Sequence, residues 1–193
     1  MKTKIIIIAV ILSGVIVFLL AAGFYPIALS YDWFVTARLF NEILKSSANY
    51  YEKAASLSST STPAAGMPDF KTELKRATLD KLIENRIIDK ILKQNLGGKY
   101  VEKVIRQKLA NLQSEDEKEK SLNQAVRTLY DLPYEKFRRE VVIPQIKKEI
   151  LDGQLYLRGI DFEKWLAEVK SSLHPMILMF DLYWKDGKVE LKK

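Results

Sequence analysis

Residues 77–151 constrain this chain most, because their apolar side chains recur at the period of an α-helix. Around the start of that stretch, Leu74, Leu79, Leu82, Ile83, Ile87, Ile91 and Leu92 fall mostly three or four residues apart, which gathers them on one helical face over residues 69–96. Gly97-Gly98 predicts the stop, since Gly97 can enter the left-handed cap conformation. A second helix is expected with Tyr100, Val101, Val104, Ile105 and Leu109 inward, and a third with Leu122, Val126, Leu129 and Tyr130. The charge run over residues 114–121 reads as a solvated helix start, with Ser114 as cap and Glu117 reaching back to it. Asp131-Leu132-Pro133 makes a turn into a fourth helix carrying Phe137, Val141, Val142, Ile146 and Ile150. Pro144 has no N–H for the Glu140 carbonyl and disfavours helical geometry at Ile143, so a kink or break is expected near Val142 to Pro144.

The N-terminus is of another kind. Lys2 and Lys4 precede residues 5–23, a run of 19 without a charge. As a helix it is roughly 28 Å long, against a hydrocarbon core of about 30 Å. Ile5, Ile8, Val10, Ile11, Val15, Ile16, Phe18, Leu19 and Leu20 are therefore expected to anchor the chain in a membrane. The nearest basic residue beyond the run is Arg38, so the charge asymmetry puts the N-terminus in the cytoplasm and the rest outside the cell membrane, on a periplasmic or extracellular face. Two readings stand side by side: an uncleaved signal-anchor, and a signal peptide cut near Ala21-Ala22-Gly23.

Between and after these segments lie shorter signals. Residues 25–31 read as a strand, and Thr36 as the cap of a helix running through Phe40, Ile43, Leu44, Tyr50 and Tyr51. Residues 56–68, rich in Ser, Thr, Pro and Gly, read as a connector. Asp161 is placed to cap a short helix through Trp165, Leu166 and Val169. Residues 176–184 and 189–191 read as two strands joined by a tight turn at Asp186-Gly187. This hairpin is expected to pair with the N-terminal strand. The fold class is thus mainly α: an anchor over residues 1–24, then one domain over residues 25–193. That domain has a helical core at 69–158, a C-terminal helix and hairpin at 161–192, and a small sheet that joins the two ends.

Composition narrows the chemistry. Of 193 residues none is cysteine, which excludes disulfides, thiolate zinc sites, thiol nucleophiles and a lipid-bearing cysteine. The net charge is +7, with Lys2 and Lys4 supplying two of it, so the domain is mildly basic and carries no concentrated nucleic-acid stripe. No phosphate loop follows Gly97-Gly98, and no nucleophile elbow is present. The one histidine, His174 before Pro175, suits a loop. No catalytic residue, cofactor or metal is expected. Trp33, Phe34, Trp165, Phe180, Tyr183 and Trp184 flank the helical body, and are candidate contacts for an extended polypeptide or else core and interface residues.

Two stretches carry a family resemblance. One is Leu79-Asp80-Lys81-Leu82-Ile83-Glu84-Asn85-Arg86-Ile87-Ile88; the other is Leu129-Tyr130-Asp131-Leu132-Pro133 followed by Phe137. The second is similar to a Tyr-Gly-Leu-Ser, then Phe, pattern, with Asp for Gly and Pro for Ser. Over roughly two-fifths of its length the chain resembles the helical N-terminal chaperone domain of the SurA type, shared more loosely with PrsA-like foldases and trigger factor. The resemblance implies a SurA-N-like helical bundle that binds unfolded polypeptide without ATP. No parvulin-type isomerase domain is expected, since that site is built around histidines. Joined to the anchor, the expectation is a membrane-tethered holdase for exported polypeptides. The other reading is an anchored structural or assembly protein that docks one envelope partner.

Overall fold

In the computed structural model, which describes residues 13, 17–57, 68–112 and 116–192, the chain is mainly helical with small antiparallel sheets. Strands β1 (Pro26–Leu29) and β2 (Phe34–Thr36) lead into helix α1 (Ala37–Leu57). Helices α2 (Pro68–Leu96), α3 (Gly98–Leu112) and α4 (Asp116–Tyr130) follow. A short α5 (Tyr134–Phe137), a π-helical turn (Arg138–Val142) and α6 (Ile143–Tyr156) form one contiguous helical run. Helix α7 (Phe162–Ser172) and strands β3 (Met176–Ile177), β4 (Leu182–Lys185) and β5 (Lys188–Leu191) complete it.

Helix α2 is the centre. Its Leu79, Ile83, Ile87, Ile88 and Leu92 are at most 2% exposed, and α1, α3, α6 and β5 pack around it. Burying each such side chain stabilises the fold by about 1.5–3 kcal/mol. The expected caps are in place. Thr36 Oγ1 accepts from Leu39 N at 3.3 Å, and Asp161 Oδ1 accepts from Lys164 N at 2.8 Å. Gly97 takes φ +77° and donates to the Lys93 carbonyl at 3.0 Å. The Ser114 cap and the interior of the expected connector lie outside the described residues. Val101, Ile105 and Val126 are buried as expected, but Tyr100 and Leu122 are exposed. Tyr100 sits in the first turn of α3, and α4 is peripheral, with Val126 its one buried apolar side chain among the described residues.

Of the kink or break expected near Val142 to Pro144, the break does not occur: the helix continues through a π-helical turn. Ile143 N–H donates to the Arg138 carbonyl five residues back, and Ile143 keeps helical angles of −61° and −45°. An α-turn would press the Pro144 ring on the Glu140 carbonyl. The wider π-turn relieves that clash, and the helix runs on.

The sheets also differ from expectation. Strand β1 is central, antiparallel to β2 and to β3, with Ala28 opposite Val35 and Ile177, and Leu29 opposite Phe34 and Met176. The run expected as one strand over residues 176–184 is split. Met176 and Ile177 join β1, whereas β4 and β5 make a separate hairpin through Asp186-Gly187. The division falls near Asp181, whose carboxylate meets Lys75 of α2 at 2.5 Å. The hairpin docks on α2 by its backbone: Arg76 Nη1 donates to the Val189 carbonyl at 3.0 Å, and Val189 N–H donates to Asp80 Oδ1 at 3.1 Å. Lys170, buried, completes the cluster at 2.9 Å from Asp80 Oδ2.

Among the described residues no helix is long and apolar enough to cross a membrane. Ile5, Ile8, Val10, Ile11, Val15 and Ile16 lie outside the described residues. Residues 17–21 are helical, with Phe18, Leu19 and Leu20 exposed. Gly23, at φ +72°, ends this helix in a Schellman cap. Its N–H donates to the Leu20 carbonyl at 3.1 Å, and Phe24 N–H donates to the Leu19 carbonyl at 2.9 Å. The Gly23 carbonyl in turn accepts from Arg38 N at 2.8 Å, tying the segment to the start of α1.

Two glycine substitutions are expected to act with opposite sign. Gly187→Ala combines φ +79° with a Cβ only 2.9 Å from Ser171 N, and should destabilise the protein by about 1–3 kcal/mol. Gly153→Ala, inside α6 with no atom within 4 Å of its Cβ, should stabilise by about 0.5–1 kcal/mol. Urea denaturation of both variants checks the pair.

Candidate functional site

Along one stripe of α2 the packing of its neighbours leaves cavities, although Thr78 and Leu82 at their floor are themselves buried. Leu74, Thr78, Leu82, Asn85, Asp89 and Lys93 follow one another at steps of three and four, and three adjoining cavities of about 390, 460 and 400 Å³ lie along them. The first is walled by Ile43, Ser46 and Tyr51 of α1, by Tyr130, and by Glu140, Val141 and Pro144 across from them. The second shares Leu82, Asn85, Glu140 and Pro144 with it and adds Phe24, Arg38, Glu42, Lys136 and Lys147. The third shares Arg86 and Asp89 with the second and ends at Asp32, Trp33 and Phe34. From Leu74 to Gln94 the trough runs roughly 30 Å at the helical rise. That is the length of roughly nine residues of extended polypeptide.

Its two ends have different chemistry. At the first, aromatic rings are fixed by each other: Tyr130 stacks on Tyr50 with centroids 5.0 Å apart, and Phe137 lies 4.7 Å from Tyr130. Ser46 Oγ donates to the Tyr130 carbonyl at 2.7 Å and Asn49 Nδ2 to that of Leu129 at 2.9 Å. In this way α1 satisfies carbonyls that the end of α4 leaves without helical partners. The middle is charged. Burial pushes the Glu42 carboxyl up, but Lys136 at 2.7 Å and Arg38 at 3.4 Å outweigh it and hold it below the ordinary range. Burial likewise raises Asp89, and hydrogen bonds from Lys147 and Lys93 reverse that, leaving its carboxyl below the ordinary value. Arg86 has no ion-pair partner among the described residues, so its guanidinium remains available to an acceptor laid in the trough.

Of the six aromatics expected as contacts, the structure brings only Trp33 and Phe34 to this trough, Trp33 buried and Phe34 exposed. Trp165 packs beside Phe162 against the core. Trp184 also packs against the core, and its Nε1 donates to the Leu173 carbonyl at 2.9 Å. Tyr183 donates to Glu190 at 2.9 Å within the hairpin, and Phe180 stands exposed between β3 and β4. Tyr51, Tyr130, Val141 and Arg86 were legible in sequence only as helix positions, because whether a helical face is covered depends on where its neighbours lie. His174 is exposed in the loop before β3. Among the described residues no group of three His, Cys, Asp or Glu side chains is placed to hold a metal ion.

The Asp89 contacts make a pH dependence. A carboxyl lowered on folding contributes stability that is complete above its ordinary value near 3.8 and is lost as pH falls through the lower folded value. Asp89→Asn should be less stable than the parent at pH 7 and lose less stability on acidification. Urea melts at neutral pH and near pH 3 measure the difference; equal losses in both proteins would rule it out. No protein-family model matches the chain, and no curated protein or solved structure shows a significant match to it.

Proposed function

We propose that this protein is a membrane-anchored, ATP-independent chaperone of the SurA N-terminal type, a holdase for unfolded or exported polypeptides outside the cytoplasmic membrane. The observation that carries the reading is the line of adjoining cavities along α2, together about as long as nine extended residues, with exposed Tyr51 and Val141 on the wall at one end and charged residues along the middle. Client side chains would bury against Tyr51, Tyr130 and Val141. Polar and main-chain groups would meet Arg38 and Arg86. Contacts of this kind are shallow and indifferent to sequence, which suits weak, reversible capture. Because Gly23 is hydrogen-bonded to Arg38, itself a trough residue, an anchor over residues 5–23 holds the binding surface near the membrane and raises its local concentration there.

The test is aggregation of a chemically unfolded model protein diluted into buffer with the full-length chain in nanodiscs. Suppression near stoichiometric ratios without nucleotide is expected. Val141→Glu, at a position 37% exposed on the trough wall, should weaken it, whereas Leu157→Glu, 85% exposed and away from the trough, should not. No suppression at large excess would overturn the holdase and turn the search to a single docked partner.

A further inference from the structure

The three-stranded sheet has apolar residues on both faces. On one, Val35 and Ala28 are fully buried in the core, opposite half-buried Ile177. On the other, Phe34, Leu29 and Met176 form one cross-strand row, with Phe34 56% and Met176 59% exposed. An antiparallel sheet with one wet face ordinarily sets polar residues there. Around the row the exposure continues: Tyr25 beside the sheet's first strand, Tyr31 at the β1–β2 turn, then Leu178 and Phe180 after β3. Exposed large apolar side chains concentrate in residues 17–34 and 176–180, which the β1–β3 pairing brings together.

The position of this face is set by where the apolar N-terminal run ends. Gly23 closes the helical residues 17–21, and only Phe24 and Tyr25 separate it from β1. From Gly23 to Pro26 is three residues, a reach of about 10 Å at most. The headgroup layer outside the hydrocarbon core is roughly 5–8 Å thick on each side. If residues 5–23 span the bilayer, the sheet therefore begins at the lipid surface. We infer that its outward face, with Phe34, Met176 and Leu178 in contact, rests on the bilayer interface. The inference depends on the anchor in the proposed function, but not on chaperone activity. Aromatic side chains such as Tyr25 and Tyr31 suit that layer, where an apolar ring and a polar hydroxyl are both satisfied. Phe34 also closes the trough, which then opens beside the membrane surface.

The chain has no cysteine, so single cysteines can carry spin labels without other changes. The full-length protein is reconstituted in phosphatidylcholine vesicles with an anionic lipid fraction, and labels are placed by Phe34→Cys, Met176→Cys and Leu178→Cys, all at exposed positions. Leu157→Cys reports water and Ile11→Cys reports the anchor. Loss of collision with aqueous nickel chelate at 34, 176 and 178, with retained collision with oxygen and full nickel access at 157, is the expected result. Nickel access at the three sites equal to that at 157, while the label at 11 is immersed, would overturn the docking and leave the anchor standing. Nickel access at 11 as well would overturn the anchor together with it. Shielding that comes with spin–spin broadening, and disappears on dilution with unlabelled protein, would assign the face to a second copy and overturn the lipid contact.

Discussion

Burial of one face of helix α2 supports everything else in this fold. Leu79, Ile83, Ile87, Ile88 and Leu92 are inaccessible to solvent or nearly so, and helices α1, α3 and α6 are placed by what they add to that surface. The polar residues at its margins then act as pins. Arg76 and Asp80 hold strand β5, Asp89 holds Lys147 of α6, and Lys90 meets Asp32 in the β1–β2 turn at 2.7 Å. Ion pairs between partly exposed side chains contribute about 0–1 kcal/mol each. The apolar face therefore decides whether the helices associate, and the pins decide at what register.

The second constraint is closure of the chain on itself. Two residues of β3 pair with β1, joining positions separated by most of the sequence. A pairing so short adds little by hydrogen bonding, yet it carries the C-terminal hairpin to α2 and sets Met176 beside Leu29. Each constraint underlies one of the two proposed surfaces. One leaves a trough beside the buried face of α2, and the other gathers exposed apolar side chains where the N-terminal segment enters. Each surface departs from a fully closed core; Arg38, bonded to Gly23, lines the trough, and β1 of the sheet begins three residues after Gly23.

Much of the helical scheme was legible from side-chain period and punctuation. Thr36, Gly97 and Asp161 do locally what their chemistry allows, because a cap needs only its own next turn. Asp186-Gly187 is the hairpin turn for the same reason, with both residues at positive φ. Positions whose state depends on a distant neighbour were not legible. Tyr100 and Leu122 fit a helical apolar pattern but are exposed. The run 176–184 reads as one strand, yet Met176 and Ile177 pair with β1, far earlier in the chain, while Leu182 to Lys185 pair with β5. Pro144 signals an irregularity, yet whether a helix breaks or widens depends on what holds the turn in place.

What the sequence determined by itself was the mainly helical class, the ends of the principal helices, the tight hairpin and the apolar character of residues 5–23. All of these follow from interactions within a few residues, where side-chain chemistry acts directly on the backbone. Only the tertiary structure decided that cavities line one stripe of α2, that Trp165 and Trp184 turn to the core while Phe34 does not, and that the sheet shows an apolar face outward. Period and capping specify which face of an element is apolar. Whether that face is covered depends on the packing of elements far apart in the chain, and no local pattern records it.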